Sequence, residues 1–218
     1  MRILKLLSAA LPLAGLLGAC SDGDQPAAAD ESIVATTTTV RPDNGVLLVG
    51  AILPRTGVAA ELGLSMSDAL TLAVEEINEA GGVGGAPVRL LEREEGDNEA
   101  TASLAMLELL QLGVDAIIGP TSSTNTLATL GTAVDAGVLT CSPTASAIAL
   151  DTFPDEGLFI RTIASDSLQA EAIAAVVERS GTSSTVVVYV DDNYGRPFAE
   201  AVRLAVIAEG TAVTAMVP

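Results

Sequence analysis

The sequence predicts an α/β fold of parallel strands with helices on both faces, and three observations carry that prediction. From Val46 to the C-terminus, short apolar or β-branched runs alternate without interruption with longer stretches of helical period. Small polar residues gather in the connections that follow those runs. The apolar fraction is 49% over 218 residues, enough to build a core. Uninterrupted βα alternation favours a parallel sheet over a mixed α+β arrangement, because each parallel pair needs a crossover and a helix supplies it.

Taken in order, Val46 to Leu53 (VLLVGAIL) is a continuous apolar run, as expected of a strand buried on both faces. The spacing predicts a helix over 63–80, with Met66, Leu70, Ala73, Val74 and Ile77 facing the core and Glu75, Glu76 and Glu79 in water. Gly81-Gly82 ends it. A short strand follows over 87–92, then a Leu-rich helix over 100–112 capped by Asp97 or Asn98. Residues 114–118 read as a strand, and 122–136 as a helix capped by one of Thr121, Ser122, Ser123 and Thr124. Strands over 138–141 and 158–161 complete a first unit, residues 45–163.

The pattern then restarts over 164–218. Ser165 or Asp166 caps a helix running to about Arg179. Thr185 to Val190 (TVVVYV) is the most β-branched strand of the chain. A helix over 195–209 and a strand over 212–217 follow.

Two segments precede this region. Residues 1–20 (MRILKLLSAALPLAGLLGAC) carry a basic start at Arg2 and Lys5 and an apolar stretch broken by Pro12. The stretch is short for a bilayer span, which needs about 20 apolar residues, and suits a signal peptide. Leu17-Gly18-Ala19 ahead of Cys20 resembles a bacterial lipobox, which implies lipidation of Cys20 and an extracytoplasmic protein anchored to the membrane. An ordinary signal peptide with an incidental cysteine is the plainer alternative. Residues 21–44 are polar, Ala/Thr-rich and without period, and read as a disordered linker. With only two cysteines, Cys20 and Cys141, no disulfide framework is expected.

Composition excludes several functions. The chain has no histidine, which removes Ser-His-Asp and Cys-His catalysis and any His-ligated metal. The formal charge is −18, which opposes capture of nucleic acid or an anionic lipid surface. No G-x-S-x-G nucleophile turn is present. The reading is therefore a non-enzyme with no cofactor.

In open parallel sheets ligands bind beyond the carboxyl ends of the strands. Four such loops carry small polar residues: 54–57 (PRTG), 119–124 (GPTSST), 142–146 (SPTAS) and 191–195 (DDNYG). Ser122 and Ser123 stand at a predicted helix N-terminus, where backbone N–H groups and hydroxyls suit a carboxylate. Each hydroxyl can equally serve as a cap or turn residue.

Residues 77–90 (INEAGGVGGAPVRL) and 114–124 (VDAIIGPTSST), together with LPRTG, SPTASA and DDNYG in that order, resemble type I periplasmic solute-binding proteins, above all the leucine/isoleucine/valine-binding proteins of ABC importers. The glycines follow a helix and precede a strand, the reverse of a dinucleotide fingerprint. The resemblance spans about 46–218 and implies two α/β lobes closing on a small amino-acid-like ligand, with an ABC permease as partner. It implies that Ser123, with Ser122 next, binds the ligand carboxylate. It assigns Thr144, Ala145 and Ser146 to the loop that holds the ammonium and carboxylate groups, Thr144 through its backbone and Ser146 through its hydroxyl. Tyr194 would pack over the ligand from the second lobe. Leu62 stands where the family often has an aromatic residue lining the side-chain pocket. The family's acidic ammonium partner lies farther along the second lobe than this chain extends. Two lobes of roughly 100–150 residues need more chain than residues 46–218 supply, so the second lobe is expected to be incomplete and the chain a fragment. A ligand-sensing receptor ectodomain of the same fold is the alternative function.

Other polar residues have simpler expectations. Cys141 reads as a buried, inert thiol. Glu94, Glu95 and Asp97 could hold Ca²⁺ or do acid–base work, but a helix cap with solvated charges is the plainer reading. Asp191 and Asp192 are poorly placed for a dyad. Arg55 could meet an anionic ligand or remain a loop cation. Arg161 is expected to pair with a carboxylate.

Overall fold

The computed structural model describes residues 44–218. The predicted leader with Cys20, and the linker up to residue 43, lie outside the described residues. Five strands, β1 (Leu48–Leu53), β2 (Arg89–Glu94), β3 (Ala116–Ile118), β4 (Leu139–Ser142) and β5 (Phe159–Arg161), form one all-parallel sheet in the order β2-β1-β3-β4-β5. Their crossovers include α1 (Ala60–Glu79), α2 (Glu99–Gln111) and α3 (Ser123–Asp135). A second sheet pairs β6 (Ser184–Val188) with β7 (Ala212–Val217), also parallel, with α4 (Asp166–Arg179) before it and α5 (Gly195–Ala208) between its strands. The α/β class, the parallel sheets and the element order are those expected.

Side-chain hydrogen bonds explain the shifted strand starts. Ahead of β1, the Val46 N–H donates to the Asn44 side chain at 2.9 Å and the Leu48 N–H to the Asp115 carboxylate at 2.8 Å, and the strand begins at Leu48, two residues later than expected. Asn78 at the end of α1 grips Val88 on both sides, accepting its N–H at 2.6 Å and donating to its carbonyl at 3.0 Å. Pairing of β2 therefore starts at Arg89. The cap alternatives resolve in the same way. Asn98 accepts from the Thr101 N–H at 3.0 Å, Ser122 from Asn125 at 3.4 Å and Ser165 from Ser167 at 3.2 Å.

The main core lies between the five-stranded sheet and helices α2 and α3, where Ile52, Met106, Leu109, Ile117 and Val138 are fully buried. A smaller cluster joins Ala170 and Ala174 of α4 to Val202 and Val206 of α5. Helix α1 departs from expectation. Of its predicted inner face, Met66, Leu70 and Val74 are half-buried while Ala73 and Ile77 are exposed. Gly63 is its only fully buried residue. The helix meets β1, the edge strand β2 and the short turn that precedes it. Two short 3-10 turns, Gly57–Ala59 and Ile148–Thr152, were not anticipated.

The strand order changes direction between β1 and β3, which opens a crevice beyond their carboxyl ends. The loop leaving β3 enters it at Gly119, whose φ is +98° and where a Cβ would stand 2.1 Å from the Ile52 carbonyl oxygen. Only glycine allows so close an approach of the two chains there.

Candidate functional site

The segment from Thr121 to Asn125 is the centre of the site. It leaves β3 and becomes the first turn of α3, with Ser122 as the cap. The N–H groups of Ser123 and Thr124 have no acceptor among the described residues, as expected in a first helical turn. Glu95, just beyond β2, lies beneath. It accepts from the Thr121 N–H (2.8 Å) and hydroxyl (2.6 Å), the Ser122 N–H (2.8 Å) and the Asn125 amide (3.0 Å). This corrects the expectation of a solvated charge at Glu95, which is 1% exposed, while Asp97 is exposed as expected.

The loop after β4 is stitched to this segment. Thr144 donates its hydroxyl to the Thr121 carbonyl at 2.8 Å, and the buried Ser142 donates to the Pro120 carbonyl at 2.6 Å. The Ser123 oxygen accepts the N–H groups of Ser146 and Ala147 at 3.1 and 3.2 Å, leaving its own proton to donate.

Ser146 leads to the second sheet's helices. Its hydroxyl donates to Asp166 Oδ2 at 3.1 Å, and its carbonyl accepts the Asp166 N–H at 2.9 Å. Asp166 is fully buried, and its Oδ1 finds no hydrogen-bond partner among the described residues. Burial pushes its carboxyl up from the ordinary value, against the lowering pull of the Ser146 hydroxyl and the Tyr194 phenol. Burial raises the Tyr194 phenol as well. Tyr194 precedes α5, whose start is fixed by Asp192 Oδ1 accepting the N–H groups of Tyr194 (2.9 Å) and Gly195 (2.6 Å).

Ser122, Ser123, Thr124, Thr144, Ser146, Asp192 and Tyr194 line one cavity of about 270 Å³. A second hollow of about 660 Å³ shares Ser122, Thr124 and Asp192 with it and reaches Asn98 and Glu99 at the start of α2. Neither is lined by lysine or arginine. Five of the residues expected at the site (Ser122, Ser123, Thr144, Ser146 and Tyr194) thus meet. Two do not line this cavity. Ala145 is wholly buried, with its N–H donated to Ser142 at 3.0 Å. Leu62 lies half-exposed on α1. The loop over 54–57 also stays outside the cavity, because Arg55 turns to Glu92 in an ion pair and gives its N–H to Glu94 at 3.0 Å.

The burial of Glu95 and Asp166 does not follow from the sequence pattern. Nothing in the alternation around Glu95 marks it as buried. For Asp166 the signal was present but ambiguous, since Ser165 and Asp166 were equal candidates for the cap. Ser165 takes that place, which turns Asp166 inward. Arg161 pairs with Asp151 as expected. Cys141 is a half-buried free thiol whose pKa burial raises.

The family model for periplasmic binding proteins matches residues 47–218. The chain belongs to that family. This periplasmic binding protein is 29% identical over 167 residues to the Leu/Ile/Val-binding protein BraC3 of Rhizobium johnstonii, an alignment covering 75% of this chain and 45% of that protein. A solved substrate-binding protein of an ABC transporter from Desulfitobacterium hafniense, in complex with Leu, superposes with a TM-score of 0.67 at 26% identity, over 78% of this chain and 50% of that one. Glutamate receptor 3.1 of rice is 28% identical over 159 residues, covering 72% of this chain and 16% of the receptor. The chain spans about half the length of the two binding proteins it matches. The fold is the two-lobed α/β architecture of the family, of which this chain spans about half.

Proposed function

We propose that this chain is the solute-binding component of an ABC importer and takes a branched-chain amino acid or a similar small amino-acid-like solute between its lobes. One juxtaposition carries the reading. The unpartnered N–H groups of Ser123 and Thr124 and the free proton of the Ser123 hydroxyl offer donors to a carboxylate. On the other side stand the Ser146 oxygen, the Tyr194 phenol and the Asp192 carboxylate, which suit an ammonium. A zwitterion answers both, and the lack of a cationic side chain in the lining disfavours a solute carrying only negative charge. The names of the relatives support the same class of solute.

The remaining assignments form part of this proposal. Residues 45–163 make the first lobe and 164–218 the beginning of the second. Residues 1–20 direct export, Cys20 carries lipid, and 21–44 tether the protein outside the cytoplasm, where it delivers solute to a membrane permease. The protein is not an enzyme. The similarity to rice glutamate receptor 3.1 favours a second reading, a sensing ectodomain that reports solute to a partner.

The test is thermal melting of the mature protein with leucine, isoleucine, valine and their deaminated analogues. A hundredfold excess of solute over Kd adds about 2.7 kcal/mol of stability. The expected result is a rise of several degrees with an amino acid and none with 4-methyl-2-oxopentanoate. A cooperative melt that no amino acid moves overturns the proposal.

A further inference from the structure

Glu95 is a buried carboxylate without an ion pair among the described residues. A buried charge of this kind is costly unless donors surround it. All four of its donors come from one short segment: the N–H and hydroxyl of Thr121 on Oε2, and the Ser122 N–H and the Asn125 amide on Oε1. Its own N–H is anchored to the Leu53 carbonyl at the end of β1, at 2.9 Å. The carboxylate therefore ties the segment that starts α3 to the carboxyl ends of β1 and β2. The two residues enclosed by this grip, Ser123 and Thr124, hold the unpartnered N–H groups of the cavity.

We infer that Glu95 is a positioning residue that sets the solute-binding segment in its receiving geometry before any solute arrives. It acts through the orientation of Ser123 and Thr124 and does not touch the solute. The inference rests on the proposed function in taking Ser123 and Thr124 as receivers of the solute carboxylate. Holding donors in place beforehand removes an ordering cost from binding. Glutamine at this position keeps the volume but turns an NH₂ group toward the backbone N–H of Thr121 or of Ser122, whichever way it is placed.

The experiment has two arms, both on the mature protein. In the first, backbone hydrogen exchange of solute-free protein is compared between wild type and Glu95→Gln. Exchange is expected to quicken at least tenfold at Thr121 and Ser122, with β1, β4 and α5 unchanged. In the second, the Kd for L-leucine is expected to rise at least tenfold, with a smaller rise for Thr121→Val, which removes one hydroxyl donor and keeps the backbone. Should Glu95→Gln fail to fold, Thr121→Val carries both arms. Unchanged exchange over 121–125 overturns the inference, as does loss of protection through the whole first lobe, which makes Glu95 a residue of general stability. Unaltered leucine affinity in a variant whose loop is loosened overturns it too. A wild-type protein that binds no amino acid, with the loop loosened as expected, overturns the proposed function instead and leaves Glu95 as the holder of this segment.

Discussion

Ser146 and Asp166 are joined twice, the Asp166 N–H donating to the Ser146 carbonyl at 2.9 Å and the Ser146 hydroxyl to the Asp166 carboxylate at 3.1 Å. One residue comes from the loop after β4 and the other from the first turn of α4, so the pair ties the first sheet to the helix that leads into the second.

Asp166→Asn is expected to stabilise the protein at neutral pH. Burial raises the Asp166 pKa, so the fold holds the proton more tightly than the unfolded chain does. Stability contributed by that proton is present at acid pH and lost as pH rises through the folded-state value. Replacement by Asn removes that penalty, so the variant should melt above wild type at pH 7. Asp151 works in the opposite direction. Burial opposes its charge, but the Ser165 hydroxyl, the Arg161 guanidinium and the Ser167 hydroxyl outweigh that and lower its pKa. Its contribution is therefore lost as pH falls through its folded-state value. Melting curves from pH 7 downward check both signs. An Asp166→Asn protein less stable than wild type at pH 7 contradicts the assignment.

Ser123→Ala should cost stability as well as affinity. The hydroxyl oxygen is the acceptor for two backbone N–H groups, at Ser146 and Ala147. Leaving such groups unpaired costs about 1–3 kcal/mol each. Denaturant unfolding in the absence of solute measures this directly. A variant that unfolds like the parent would show that Ser123 does not bridge the loops in solution.

Cys141→Ala is expected to leave the amino-acid response unchanged. The thiol is half-buried and its pKa is raised by burial, so it holds little thiolate at neutral pH. Slow labelling by a disulfide reagent at pH 7, quickening as pH rises, is the matching observation. Fast labelling at pH 7 would refute it.

Cys20→Ser is expected to free the mature protein from membranes. Fractionation of the expressing cells decides the matter, and a variant still bound to membrane argues for an ordinary anchor in place of lipid.

The fold was legible because burial and backbone geometry impose short-range periods. Apolar runs such as Val46–Leu53 and the β-branched run Thr185–Val190 declared strands, and the order of elements followed. The exact strand starts were not legible, since they depend on single side chains such as Asn78 reaching Val88 ten residues away. The exposed face of α1 was not legible either. A helical period shows which side is apolar, not whether a neighbour covers it.

Sequence alone determined the α/β class, the parallel sheets and the gathering of hydroxyl loops at strand ends, because these follow from local pattern and chain connectivity. It also singled out Ser122, Ser123, Thr144, Ser146 and Tyr194, which the fold brings to one cavity. Only the tertiary structure decided what their hydroxyls do, since Ser123 and Thr144 bind neighbouring backbone and Ser146 turns to Asp166. It also decided that Glu95 and Asp166 are buried while Glu92 and Glu94 remain partly open. Burial of a carboxylate is set by which distant N–H and hydroxyl groups the fold delivers to it, and Glu95 finds its donors 26 to 30 residues away.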